Sequence, residues 1–149
     1  NELKKFNTSD SAGVLFLKLI GIPVVIITGE ENEIVRRRAE KLKIEKLYMG
    51  IQNKLKAAEK LCREFNISLD EVAFVGDDLA DIPLLRKAGL SACPASAPVY
   101  VKSEVKWALT RSGGEGVFRE FVEKFLQKTG KLDLIIKQYI DSFDIEGTF

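Results

Sequence analysis

The stretch Val72-Ala73-Phe74-Val75-Gly76-Asp77-Asp78 runs four apolar residues straight into a glycine and two adjacent acids. A short apolar run that stops at a turn reads as a strand buried on both faces, the kind found in parallel sheets. Pro23-Val24-Val25-Ile26-Ile27 has the same design and ends in Thr28-Gly29-Glu30. Between and beyond these two runs lie helical patterns. Glu31 to Lys43 places Ile34, Val35, Ala39 and Leu42 at helical spacing. Asn53 opens a second helix, striped by Leu55, Ala58, Leu61, Cys62 and Phe65. Ala80 to Ala88 reads as a short helix stopped by Gly89, and Val117 to Gln127 as a strongly amphipathic one. Leu132 to Phe143 extends the helical pattern after a break at Gly130. Leu47-Tyr48-Met49 and Leu90-Ser91-Ala92-Cys93 complete the strands.

Strands that alternate with helices predict an α/β fold: a mainly parallel sheet, right-handed crossovers and helices on both faces. Ligands in such sheets bind beyond the carboxyl ends of the strands. Thr28-Gly29-Glu30 and Gly76-Asp77-Asp78 both fall at that edge. The 149 residues suit one domain, and the short connections leave no room for an inserted cap.

Composition narrows the chemistry. Lys and Arg total 23 against 22 acids, so no net field favours nucleic acid or a membrane surface. No apolar run is long enough to span a bilayer. Cys62 and Cys93 have no metal spacing and read as reduced, buried thiols of a cytoplasmic protein. The chain has no histidine, which removes His bases, His triads and the usual zinc sites. Acid–base or metal chemistry therefore falls to carboxylates, supported by lysine, threonine and backbone groups.

Two adjacent acids after a buried strand need compensation. A Mg²⁺ ion would supply it, taking one or two carboxylates plus waters and phosphate. A helix start would supply it too, because Asp77 and Asp78 could cap free N–H groups. Both readings stand, and Asp81 lies one helical step further, behind the pair. Thr28 and Gly29 offer a hydroxyl and amides to phosphate oxygens, or form an ordinary turn. Lys54 sits at a helix start, where the dipole disfavours a cation; a bound phosphate would justify it.

Threonine after one strand, lysine before a helix and an acidic pair after a later strand resemble the motif order of the haloacid dehalogenase phosphatase superfamily. Lys4-Lys5-Phe6-Asn7-Thr8-Ser9-Asp10-Ser11-Ala12-Gly13 and Gly113-Gly114-Glu115-Gly116-Val117-Phe118-Arg119-Glu120 are similar to segments of its capless branch. That branch includes the phosphatases of 3-deoxy-octulosonate 8-phosphate (KDO8P) and of the 3-deoxy-nonulosonate 9-phosphates.

The resemblance implies a Mg²⁺-dependent phosphomonoesterase with a Rossmann-like fold that passes through an aspartyl-phosphate. It implies metal on Asp77 and Asp78, and phosphate on Thr28, Gly29 and Lys54. The sugar acid would meet Glu30, Arg38, Lys41 and Asp10. Glu30 after the glycine, with Arg38 and Lys41 on the next helix, resembles the nonulosonate enzymes; the octulosonate enzymes usually carry arginine after that glycine. Relatives are typically tetramers in which a neighbour helps close the site, so a homotetramer is implied, with Glu115 and Arg119 near a neighbouring subunit's site. The small-molecule partner is a sugar-acid phosphate.

One motif is missing. The family's first strand ends in aspartate–x–aspartate, and nothing in this chain fits it. Asp10 follows no apolar strand and has no partner two positions on. The expectation is a single domain over 1–149, N-terminally incomplete, whose central strand and nucleophile lie upstream of Asn1, with 128–149 as a C-terminal extension. Another polypeptide could also supply the strand. The competing reading is a catalytically silent oligomerisation module, of the kind some sialic-acid activating enzymes carry.

Overall fold

The computed structural model describes residues 10–146. Lys4 to Ser9, which carry part of the resemblance, and Phe149 lie outside them. In chain order the elements are α1 (Asp10–Leu19), β1 (Val25–Ile27), α2 (Glu33–Lys41), β2 (Lys46–Tyr48), α3 (Lys54–Phe65) and β3 (Ala73–Val75). A 3₁₀ turn at Leu79–Asp81 leads into α4 (Ile82–Lys87), then β4 (Leu90–Cys93), α5 (Val99–Lys102), β5 (Trp107–Ala108), α6 (Val117–Lys128) and α7 (Leu132–Glu146). Among the described residues no helix is long and apolar enough to cross a membrane.

Every strand pairing among the described residues is parallel. Ile26 of β1 lies opposite Leu47 of β2, Phe74 of β3 opposite Ser91 of β4, and Ala92 of β4 opposite Trp107 of β5. The strands form two ladders, β1–β2 and β3–β4–β5. Helices cover both faces. Phe16 and Leu17 of α1, Phe121, Val122 and Leu126 of α6 and Ile135 of α7 close over Ala92. On the other side Leu85 of α4 and Val101 of α5 close over Cys93. Val14 of α1 packs with Ala39 of α2 over the β1–β2 ladder.

The helix starts follow from local chemistry. Asn32 Oδ1 accepts from Val35 N at 2.9 Å, and Asn53 Oδ1 accepts from Lys56 N at 2.9 Å. Each satisfies one amide that the first helical turn leaves unpaired. Asn66 ends α3 in the left-handed region at φ 56°.

Three sequence expectations need correction. Burial on both faces holds for β4, whose Ser91, Ala92 and Cys93 are buried, but β1 and β3 are half-buried and Ala73 is exposed. The reason is topological: among the described residues β1 and β3 each have a strand on one side only. Ile34 is exposed, because the α2 start set by Asn32 turns Val35 and Ala39 inward instead. Gly89 is not a left-handed helix stop. Its place is dictated by contact: a Cβ there would lie 1.9 Å from the Asp70 carbonyl oxygen. The helix α1 has no counterpart in the sequence reading, since Val14 to Leu17 are apolar without a break and show no polar face. At four and two residues, α5 and β5 are too short to carry a period.

Candidate active site

At the carboxyl end of β1 the ladder continues beyond the strand. Thr28 N donates to Tyr48 O at 2.9 Å, Ile51 N to Thr28 O at 2.9 Å, and Gly50 N to Glu30 O at 3.0 Å. The loops after β1 and β2 are thus stitched together. Gly50 takes φ +67°, a conformation that glycine adopts without strain, and its missing Cβ leaves room for the Glu31 side chain, whose Cδ would otherwise lie 2.8 Å away. The Thr28 hydroxyl accepts from Glu30 N at 3.1 Å and keeps its own hydrogen to donate. Glu30 Oε1 accepts from Asn32 Nδ2 at 3.4 Å.

The second loop delivers Lys54 as the first residue of α3. Its Nζ lies 2.5 Å from Asp81 Oδ1, with the lysine side chain 17% exposed and the aspartate 2%. The other Asp81 oxygen accepts from Asp77 N at 2.8 Å and Asp78 N at 3.1 Å. A Cβ on Gly76 would come within 2.7 Å of Asp81 Cβ, so the glycine lets this carboxylate approach the loop. Thr28, Gly50-Ile51, Lys54, Asp81 and Asp77-Asp78 therefore form one connected edge. Lys54 is the counter-ion of a buried carboxylate, a role that the sequence reading does not assign to it. An ammonium has three donors, and this bond uses one.

Burial works to raise the Asp81 pKa, but the Lys54 hydrogen bond, the Asp77 and Asp78 amides and the lysine charge outweigh it and hold it below the ordinary value. A carboxyl depressed on folding stabilises fully above its unfolded pKa, about 3.9, and loses that contribution as pH falls through the lower folded value. Wild-type protein should thus lose stability below about pH 4. Asp81→Asn should be less stable at pH 6, with a flatter acid limb in urea midpoints. Equal acid limbs for the two proteins would remove this role from Asp81.

Of the two readings of the acidic pair, the capping one is realised at Asp78, whose Oδ1 accepts from Leu79 N at 2.7 Å. The Asp77 and Asp78 side chains are both exposed at the edge. Among the described residues no three Asp, Glu, His or Cys side chains cluster to hold a metal. Two exposed carboxylates on one loop still fit a Mg²⁺ ion that draws its remaining ligands from water and phosphate.

The other sequence candidates divide. Gly29 shares the edge, 3.5 Å from Ile51 O at its notional Cβ. Arg38 is half-buried within α2. Lys41 is exposed. It ends α2, about 12 Å of helix rise beyond Glu33, at the opposite end from Thr28. Asp10 is buried at the start of α1, where its Oδ1 accepts from Arg119 N at 3.2 Å and joins α1 to α6. Arg119 Nε bonds Glu123 at 2.6 Å, and Glu115 O accepts weakly from Arg111 at 3.4 Å. The residue undervalued from sequence is Asp81. Its signal was the spacing of a reciprocal cap, an acid three positions after Asp78.

Residues 34–121 match the haloacid dehalogenase-like hydrolase family. The chain is 39% identical over 132 residues to the 3-deoxy-D-manno-octulosonate 8-phosphate phosphatase of Escherichia coli, covering 89% of this chain and 70% of that protein. It is 34% identical over 129 residues to the Haemophilus influenzae protein of the same name, covering 87% and 72%. Among solved structures it superposes on the Moraxella catarrhalis 3-deoxy-D-manno-octulosonate 8-phosphate phosphatase, in complex with a magnesium ion, a phosphate ion and KDO. That match has TM-score 0.86 and 32% identity, covering 93% of this chain and 80% of that one. The cobalt-bound Haemophilus influenzae phosphatase matches with TM-score 0.82 and 34% identity, covering 87% and 76%. The parallel ladders, the order of the edge loops and these likenesses agree: the chain belongs to the haloacid dehalogenase-like hydrolases.

Proposed function

We propose that the protein is a Mg²⁺-dependent phosphomonoesterase acting on a 3-deoxy-2-ulosonic acid phosphate. The observation that carries this reading is the connected edge in which Asp81 joins Lys54 to the Asp77-Asp78 loop and Ile51 ties Thr28 to the loop that delivers Lys54. Thr28 and the free donors of Lys54 hold phosphoryl oxygens, and the ammonium offsets charge as the group transfers. Asp77 and Asp78 hold the metal, which supplies further charge neutralisation when bound. Asp81 fixes the ammonium and the two amides so that neither must reorganise.

In this reading the attacking aspartate comes from a strand that precedes Asn1 and enters between β1 and β3. The edges of β1 and β3 support this, since among the described residues neither pairs with a strand on that side. Carboxylate attack splits the hydrolysis into two easier steps, through an aspartyl-phosphate.

Glu30 and Arg38 are the candidates for the sugar acid: the carboxylate can accept hydroxyl hydrogen bonds, and the guanidinium can hold the 2-keto-acid carboxylate. Relatives named for the eight-carbon substrate favour KDO8P. Glu30, placed where the octulosonate enzymes usually carry arginine, favours a nine-carbon KDN or N-acylneuraminate 9-phosphate.

The test is phosphate release by the full-length protein, in Mg²⁺ and after chelation, from the 8-phosphate and 9-phosphate acids side by side. Chelator-sensitive turnover of at least one is expected. Turnover of neither would sink the substrate class.

A further inference from the structure

Away from this edge, the outer face of α6 borders a cavity of about 580 Å³. Its walls carry Arg111, Arg119, Lys124 and Lys128 against Glu120 and Glu123. Both carboxylates are already committed. Glu123 accepts from Arg119 Nε at 2.6 Å. Glu120 accepts from Thr110 N at 2.9 Å, Thr110 Oγ1 at 2.8 Å and Arg111 N at 2.9 Å. Burial works to raise its pKa, but these bonds and the Arg111 charge hold it low, so it stays an ionised clamp on the chain after β5.

The remaining charge is cationic. Half-buried Lys124 carries its Nζ 4.7 Å from the centre of the Trp107 ring. Lys128 lies one turn further on the same face, and among the described residues the Arg111 guanidinium donates only the long hydrogen bond to Glu115 O at 3.4 Å. Like charges four residues apart on a helix repel. Among the described residues Arg111, Lys124 and Lys128 form no close ion pair, and the Arg111 charge acts on Glu120 only at longer range, so the groove assembles three cations with donors to spare in a volume typical of small-molecule sites.

We propose that this groove binds a small polyanion bearing two or more phosphate or carboxylate groups, at a site separate from the Thr28–Lys54–Asp77 edge. Arg111 presents a planar fork to one anionic group, while Lys124 and Lys128 act as point charges on another. The chemistry requires at least two anionic groups, because a monoanion would leave most of the repulsion in place.

Trp107 is the single tryptophan of the sequence, which makes its emission a local reporter on Lys124. Full-length protein is titrated with inorganic pyrophosphate, with sodium chloride of matched ionic strength as the control. A saturable change in Trp107 emission is expected. Lys128→Ala and Arg111→Ala should each weaken it about tenfold, in line with loss of one charged hydrogen bond. Lys54→Ala should leave it unchanged, which separates this site from the proposed active site. Citrate in place of pyrophosphate distinguishes carboxylate from phosphate, and saturation by either supports the site. A change reproduced by sodium chloride, or one abolished by Lys54→Ala and indifferent to Lys128→Ala, would overturn the proposal.

Discussion

Under the proposed function, Lys54→Ala is expected to lower kcat/KM for the ulosonic acid phosphate by at least ~10²-fold, the range for removing one charge-stabilising donor at a transferring group. Two effects combine. The phosphoryl group loses its ammonium, and Asp81, 2% exposed, loses the counter-ion 2.5 Å away. Removing one partner of a buried pair costs about 3–5 kcal/mol, because the other charge stays behind. The variant is therefore measured below its unfolding midpoint, with the folded fraction checked by circular dichroism. Lys54→Arg keeps the charge but fits the Asp81 pocket poorly, so it should recover stability more than turnover. A folded Lys54→Ala protein within tenfold of wild type would take Lys54 out of the phosphate grip.

The largest effect on stability is expected at Gly89. A methyl group there would sit 1.9 Å from the Asp70 carbonyl oxygen, and backbone cannot swing aside as a flexible side chain can. The same crossing carries Gly89 N to Leu69 O at 2.9 Å and Leu90 N to Val72 O at 3.1 Å, which start the β3–β4 ladder. Gly89→Ala must break or stretch these bonds, and a loss of about 3 kcal/mol or more follows from overpacking against fixed backbone. Urea unfolding measures it. A midpoint unchanged from wild type would mean that the Asp70 turn moves freely. Ala88→Gly, at the neighbouring position, is the control for simple loss of a side chain.

How far the sequence reached depended on what each feature encodes. The β1 and β3 loops were legible because an apolar run ending in Thr28-Gly29-Glu30 or Gly76-Asp77-Asp78 is a local signal. The fold then puts such ends on one edge. The helices at Lys54 and Val117 were legible through period and caps. Gly89 was misread, since its constraint comes from Asp70, nineteen positions earlier in the chain, and close approach leaves no local mark. Asp81 was seen only as support, because its bonds to Lys54, Asp77 and Asp78 require α3 and the β3 loop to be placed together first. Breaks in period hid α1, whose unbroken apolar run reads equally as strand or helix.

Asp81 also has a mechanical consequence. One of its oxygens holds the ammonium of Lys54 and the other holds the amides of Asp77 and Asp78. Anything that tugs the lysine outward drags the carboxylate and shifts the perch of both acids. Under the proposed function, seating the phosphoryl group and aligning the metal's ligands would be geared as one movement, with a single buried side chain as the linkage.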